Sequence, residues 1–185
     1  MGFDLRGLNP NLTRPEPELP PMPERTSKHW EIYTDWQEEN CGTYFRNNVW
    51  GWRPLWHFVT AVCNDFLTEK DIEAGCYNDG HKISKTKATR IANRLLNMVK
   101  DGSVKEYEEG YKKHLASLNQ VGCDICGATG RRQEPPKTGA GDYQECNGCN
   151  GTGKVDDWAK SYPFSEDNVR EFANFCLNSG GFRIC

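Results

Sequence analysis

Residues 123–130 read CDICGATG and residues 146–153 read CNGCNGTG. A C-x-x-C turn presents two sulfurs from one tight knuckle, and two knuckles complete the tetrahedron that Zn2+ prefers. The spacer from Cys126 to Cys146 is 19 residues, inside the range for such sites. Cys123, Cys126, Cys146 and Cys149 are therefore predicted to hold one structural Zn2+. After each second cysteine the chain must turn back so that backbone N–H groups face the sulfurs. Gly127, Gly130, Gly148, Gly151 and Gly153 relieve the steric cost of left-handed backbone there. On this reading the repeat is a pair of half-sites related by a local pseudo-twofold axis. Two other chemistries fit less well. A thioredoxin-like redox pair wants a βαβ pattern, which is missing around both motifs. A catalytic zinc needs an open coordination position, which four thiolates deny.

Outward from the cysteines, residues 120–154 lose all apolar periodicity, and the flanks regain it at helical spacing. Leu55, Val59, Val62 and Phe66 form the core face of a helix opened by Pro54. Thr68 and Asp71 read as a capping box for a short helix that ends at Gly75. Ser84 caps a helix with the stripe Ala88, Ile91, Ala92, Leu95, Leu96 and Val99, stopped by Asp101-Gly102. Ser103 and Glu106 suggest a box for the next helix, with the stripe Val104, Tyr107, Tyr111, Leu115 and Leu118; the short link predicts that these two helices form an antiparallel hairpin. Ser165 caps a final helix that turns Val169, Phe172, Ala173 and Cys176 inward. Residues 1–28 carry six of the ten prolines and are predicted extended. The expected fold is mainly α: a helical domain (29–119 plus 155–185), an extended Pro-rich arm (1–28) and an inserted, β-hairpin-like zinc-binding module (120–154).

Composition narrows the function. The 185 residues include 21 aromatics, enough for a core, and the formal net charge of −3 provides no overall field for nucleic acid. No apolar run is long enough to span a bilayer, and no secretory signal is visible, so a cytoplasmic protein is expected. Nine cysteines in a reducing compartment favour metal over disulfides. The five outside the motifs (Cys41, Cys63, Cys76, Cys176 and Cys185) are expected to be mostly small core residues.

Two further groups of residues invite a binding role. In the aromatic loop 44–56, Arg46, Asn47, Asn48, Trp50, Trp52 and Arg53 suit a nucleotide or small ligand by stacking and hydrogen bonding; alternatively, the tryptophans anchor the loop in the core. Lys87, Arg90 and Arg94 share one face of the helix after Ser84 and suit phosphates or an acidic protein face. Nucleic acid is nevertheless not expected as the main partner, because the acidic run Glu106, Glu108 and Glu109 is predicted to lie on the neighbouring helix. No nucleophile elbow, phosphate-binding loop or H-E-x-x-H motif is present, so the chain is not expected to be an enzyme.

The octets carry a family resemblance. C-x-x-C-x-G-x-G is the repeat of the cysteine-rich region of DnaJ-type co-chaperones. The second octet resembles it fully at Cys146, Cys149, Gly151 and Gly153, whereas the first has Ala128 in place of a glycine. That region has four repeats around two zincs, so the chain resembles half of it; no His-Pro-Asp tripeptide accompanies it, and co-chaperone activity is not implied. A two-repeat unit is also similar to the protein-binding module of the anti-TRAP proteins. The stretch YFRNNVWGWRPLW looks like that of uncharacterised small proteins of tailed phages and prophages. Together these resemblances imply a zinc-containing binding protein, phage-encoded, that acts on a host protein in the host cytoplasm.

Overall fold

A computed structural model describes residues 2–132 and 144–185. The chain divides into two compact units, one of residues 1–110 with 163–185 and one of residues 111–162.

The first unit combines helices with a four-stranded antiparallel sheet, where the sequence reading had foreseen little strand. Strands β1 (Gly2–Gly7), β2 (Tyr44–Asn48), β3 (Lys82–Ile83) and β6 (Phe182–Ile184) run in the order β2-β1-β6-β3. Residues 2–7 of the expected arm thus form an inner strand. Its GFDLRG alternation buries Phe3 and Leu5 on one face, and Leu5 stands opposite both Phe45 and Ile184. The proline-rich segment then runs along helix α1 (Ser27–Glu39). Asn40 accepts from the Thr13 N–H at 2.8 Å, and the Trp36 indole donates to the Arg14 carbonyl at 3.1 Å.

Helix α2 spans Val49–Val62 and starts five residues earlier than Pro54 had suggested. The Asn48 side chain caps it by accepting from the Gly51 N–H, a stronger start signal than an interior proline. Most of the expected aromatic loop is therefore strand and helix. Helix α3 (Glu69–Ala74) carries the Thr68–Asp71 capping box and ends at Gly75. Helix α4 (Lys85–Lys100) buries Ala88, Ile91, Ala92 and Leu95, and helix α6 (Glu166–Asn178) buries Val169, Phe172, Ala173, Phe175 and Cys176.

Helix α4 packs against α6, not against α5 (Ser103–Ser117) as the short link had suggested. Two features explain the difference. Ser103 forms no box with Glu106; its N–H and hydroxyl both bond Asp101, while the Glu106 N–H bonds Gly102. And the stripe of α5 is only half-buried beyond Val104, with Tyr107 wedged between Phe58 and Phe164 at ring distances of 4.7 and 4.8 Å.

The core of this unit is a chain of aromatic rings. Phe3 stacks on Trp52 at 5.2 Å, Trp52 on Trp56 at 5.3 Å, and Phe172 meets both Phe45 and Phe182 edge-on or tilted. Three of the ring-bearing elements, β1, β6 and α6, come from opposite ends of the chain. Gly180 and Gly181, at φ of 63° and 94°, make the turn between α6 and β6. A methyl group at Gly180 would overlap the Asn9 carbonyl.

The second unit has little regular structure. Strands β4 (Val121–Gly122) and β5 (Lys154–Val155) pair antiparallel, and an Arg131–Glu145 bridge extends the pairing beyond the knuckles. A 3-10 turn at Trp158–Ser161 follows. The Tyr111 hydroxyl donates to the Tyr162 carbonyl at 3.0 Å, joining the two ends of this unit. No described helix is long and apolar enough to cross a membrane.

Candidate metal centre

Cys123, Cys126, Cys146 and Cys149 come together as the sequence predicted. Their Sγ atoms all lie within 4.8 Å of one another, and all four residues are buried. They form the only such cluster of possible metal ligands among the described residues. Two sulfur–sulfur edges, Cys123–Cys146 and Cys126–Cys149, measure 3.8 Å. A tetrahedron with Zn–S bonds of about 2.3 Å has edges of about 3.8 Å, so the cage has the size that a tetrathiolate ion requires. Among the described residues, only Val155 packs against this cluster as a partly buried apolar neighbour, so that there sulfur, rather than hydrocarbon, fills the centre.

The two octets fold alike, atom for atom. The Cys123 N–H donates to the Gly153 carbonyl at 2.9 Å, and the Cys146 N–H to the Gly130 carbonyl at 2.8 Å. The Gly130 N–H points at the Cys126 sulfur (3.3 Å), and the Gly153 N–H at the Cys149 sulfur (3.2 Å). Thr129 Oγ1 donates to the Cys126 carbonyl at 2.7 Å, as Thr152 Oγ1 does to the Cys149 carbonyl. These N–H···S bonds favour thiolate, the form that binds metal.

Backbone approach explains the last glycine of each octet. A methyl group at Gly130 would overlap the Gly151 carbonyl, and one at Gly153 the Ala128 carbonyl. Each knuckle also has two consecutive left-handed residues: Gly127 and Ala128 (φ of 57° and 63°) in the first, Asn150 and Gly151 (48° and 76°) in the second. The departure at Ala128 is thus matched by Asn150 in the other copy, so each half-site has one glycine and one side chain in the strained pair.

The thiols are electrostatically uneven. Burial pushes Cys123 up to about 11, against backbone N–H groups that act the other way. Burial also opposes ionisation of Cys126, but the Gly130 N–H and the neighbouring sulfurs outweigh it and hold that thiol at about 7. Outside the cluster, burial raises Cys63 to about 11 and Cys176 well above the ordinary thiol range, which suits inert core residues. Cys76, by contrast, is exposed, and Cys41 and Cys185 are half-buried, so the core expectation fits only two of these five.

The other candidate residues are dispersed. Arg46 is exposed on β2 and faces Asp4 at 3.9 Å. Asn47 donates to the Asn168 side chain at 2.7 Å, and Asn48 is the α2 cap. Trp50 is exposed, whereas Trp52 is fully buried with its indole N–H on the Gly75 carbonyl at 2.8 Å. Arg53 lies at a cleft beside α2.

The basic residues of α4 have partners within the fold. Lys87 pairs with buried Asp71. Arg90 lies 4.0 Å over the Phe66 ring and 3.6 Å from Asp65. Arg94 pairs with Asp65 and donates to the Val62 carbonyl at 2.6 Å. The Arg94 hydrogen bond holds the Asp65 carboxyl below its usual range.

Two sets of residues went unremarked in the sequence. Thr129 and Thr152 brace the knuckles, and their signal was available, because T-G closes both octets. Asp71 was read only as a cap, yet it also binds His81 Nε2 at 2.9 Å and the Lys87 ammonium; the spacing of those residues carries no local signal. Comparison with protein-family models, curated proteins and solved structures produced no match to this chain.

Proposed function

We propose that the chain is a zinc-containing, non-enzymatic binding protein, phage-encoded, whose zinc unit engages a host protein. The observation that carries the metal assignment is the buried four-sulfur cage, whose sulfurs all lie within 4.8 Å of one another and two of whose edges measure 3.8 Å. Zn2+ suits it because thiolates select soft or borderline ions, and a tetrahedral S4 set is typical of zinc or iron–sulfur chemistry. Zinc held there supplies folding energy, and four thiolates leave it no site for substrate water. The chain's own residues do the rest: Gly130 and Gly153 direct N–H groups at sulfur, while Thr129 and Thr152 hold the knuckle carbonyls.

The protein-partner reading is supported by the half-DnaJ resemblance and by exposed apolar side chains on the same unit. Ile125 stands between two ligands, is 55 % exposed, and leans over Gly148; Trp158 is 68 % exposed. The intramolecular pairing of Lys87, Arg90 and Arg94 supports keeping nucleic acid as a secondary partner at most.

Metal analysis of protein purified without added zinc is expected to give about one equivalent of Zn2+ per chain. Iron in its place, or no metal with the thiols intact, would overturn the assignment. Affinity capture from host lysate with the wild type and with Ile125→Asp then tests the partner. The variant should retain its zinc and lose the captured protein. Capture unaffected by Ile125→Asp and by Trp158→Ala would remove the zinc unit as the binding surface.

A further inference from the structure

The four-stranded sheet has two chemically different faces. Phe3, Leu5, Phe45, Ile83, Phe182 and Ile184 are buried on the inner one, where Phe3 meets Trp52 of α2 and Phe45 meets Phe172 of α6. Strand alternation turns Arg6, Arg46, Lys82 and Arg183 to the other face, and all four are exposed. The register aligns three of them. Arg6 stands directly opposite Arg183, and Arg183 directly opposite Lys82. Neighbouring strands lie about 4.8 Å apart, so β1, β6 and β3 carry an unbroken row of cations across the sheet.

Like charges directly opposite one another are unfavourable, and the chain does little to offset these. Asp4 is the one carboxylate in the four strands. It accepts from the Tyr44 hydroxyl and lies 3.9 Å from Arg46, outside the row. Arg6 lies 5.6 Å over the Tyr44 ring, and Arg183 Nε donates to Cys185 Sγ at 3.1 Å; neither contact brings a negative charge. Glu16 lines a hollow with Arg6, and Asp79 accepts from the His81 N–H before β3. Neither acid pairs with the row, and among the described residues Arg6, Arg183 and Lys82 form no ion pair. A chain of net charge −3 thus concentrates uncompensated positive charge on one sheet face. An arrangement that costs stability and is not offset within the fold points to a partner that offsets it.

We propose that this face binds single-stranded nucleic acid, with successive phosphates along Arg6, Arg183 and Lys82. Charge complementarity calls for a polyanion with closely spaced charges, which a phosphodiester chain provides. Two of the three cations are arginines, whose planar guanidinium groups pair with phosphate and also stack on unpaired bases. An open sheet face with no projecting helix suits an unpaired strand rather than a duplex groove. The surface belongs to the first unit, uses none of the basic residues of α4 and is independent of the zinc reading.

The probe is a fluorescein-labelled oligothymidylate of about 12 nucleotides, followed by anisotropy with the full, zinc-loaded chain. Three neutralised phosphates on a single strand should make affinity fall about 20-fold between about 50 and 200 mM salt. Lys82→Gln should reduce that fall to about sevenfold, and Arg6→Gln combined with Arg183→Gln to about threefold. The double variant should also bind about tenfold more weakly at the lower salt. All three side chains are exposed, so the thermal transition of the first unit should be kept. Lys105→Gln, which removes an exposed charge from α5, should leave binding unchanged. Absence of saturable binding, or a salt dependence that the double variant leaves intact, would overturn the proposal. So would a glutamate peptide of equal charge that competes as well as the oligonucleotide, which would assign the face to an acidic protein segment. A duplex of the same length that binds as tightly would overturn the single-strand assignment.

Discussion

The two units of this chain are held together by different physics. In the first, hydrocarbon does the work: Trp52, Phe172, Phe175 and Phe182 are all essentially fully buried and in ring contact. In the second, four sulfurs occupy the centre, with Val155 the one partly buried apolar neighbour among the described residues, while Val121, Ile125 and Trp158 lie exposed. The lesson is about what each unit depends on. The first has a core of its own from the chain alone, whereas in the second, on the proposed zinc-binding reading, a bound ion would take the place of such a core. Small units of this kind are folded by their metal.

The sharpest way to break the comparison is to remove the ion. Binding of structural zinc contributes on the order of 10 kcal/mol at neutral pH, more than the whole stability of a small unit. A strong chelator, or Cys126→Ser, is expected to release the amides of residues 120–132 and 144–155 to rapid hydrogen exchange, leaving β1, α4 and α6 protected. Joint loss of protection in both units would show that one cooperative core spans them. Acid should act in the same way. Metal binding requires thiolate, so protons compete with zinc, and the second unit should loosen as pH falls before the first does.

The converse experiment attacks the aromatic chain. Trp52→Ala removes a fully buried ring and leaves the Gly75 carbonyl without its donor, a loss of about 3–5 kcal/mol. The thermal transition of the first unit should fall steeply, with zinc stoichiometry unchanged. Loss of zinc in that variant would show that the metal unit needs the aromatic one.

A smaller effect is expected at Asp71, which accepts from Thr68, His81 and Lys87. Burial alone would raise its pKa, but those bonds outweigh burial and hold the carboxyl well below the usual range. A lowered folded-state pKa means that the stabilisation is fully present above the unfolded value, about 3.9, and is lost as pH falls towards the folded one. Asp71→Asn should cost about 2 kcal/mol at neutral pH and flatten the acid limb of the first unit's stability curve. An unchanged acid limb would remove Asp71 as its source.

The smallest effect compares the two knuckles with each other. Ala128 and Gly151 occupy equivalent left-handed positions. Ala128→Gly should strengthen zinc retention by about 1 kcal/mol, and Gly151→Ala should weaken it by a similar amount. An unchanged or reversed effect at either position would break the pseudo-twofold equivalence of the half-sites.

How much of this was legible depended on how local each signal is. The knuckles were readable because ligands, glycines and spacing all lie within eight residues of one another. The caps at Ser84 and Ser165 and the Thr68–Asp71 box were readable for the same reason. The sheet was not. β1 and β6 are short, and the residues that pair them, Leu5 with Ile184, lie at opposite ends of the sequence. The partner of α4 was misread because a two-residue link implies proximity in the chain, while the apolar stripe of α4 matches the more deeply buried face of α6. The candidate site in the aromatic segment scattered because strand alternation and a helix start divide residues 44–56 between several faces. Composition alone had suggested a single loop.

The way the chain leaves and re-enters the aromatic core has a consequence for modularity. Tyr107 and Phe164 lie in ring contact, and the Glu166 N–H donates to the Glu108 carboxylate at 3.2 Å. The ends of the intervening 55 or so residues are therefore already held side by side by the core. Loop-closure entropy grows only slowly with length, and here the closure is made by contacts that belong to the first unit. The metal unit is in this sense a cassette: lengthening, shortening or exchanging it alters little of what the host core must overcome to fold. Its sequence is thereby free to change while the aromatic scaffold stays fixed.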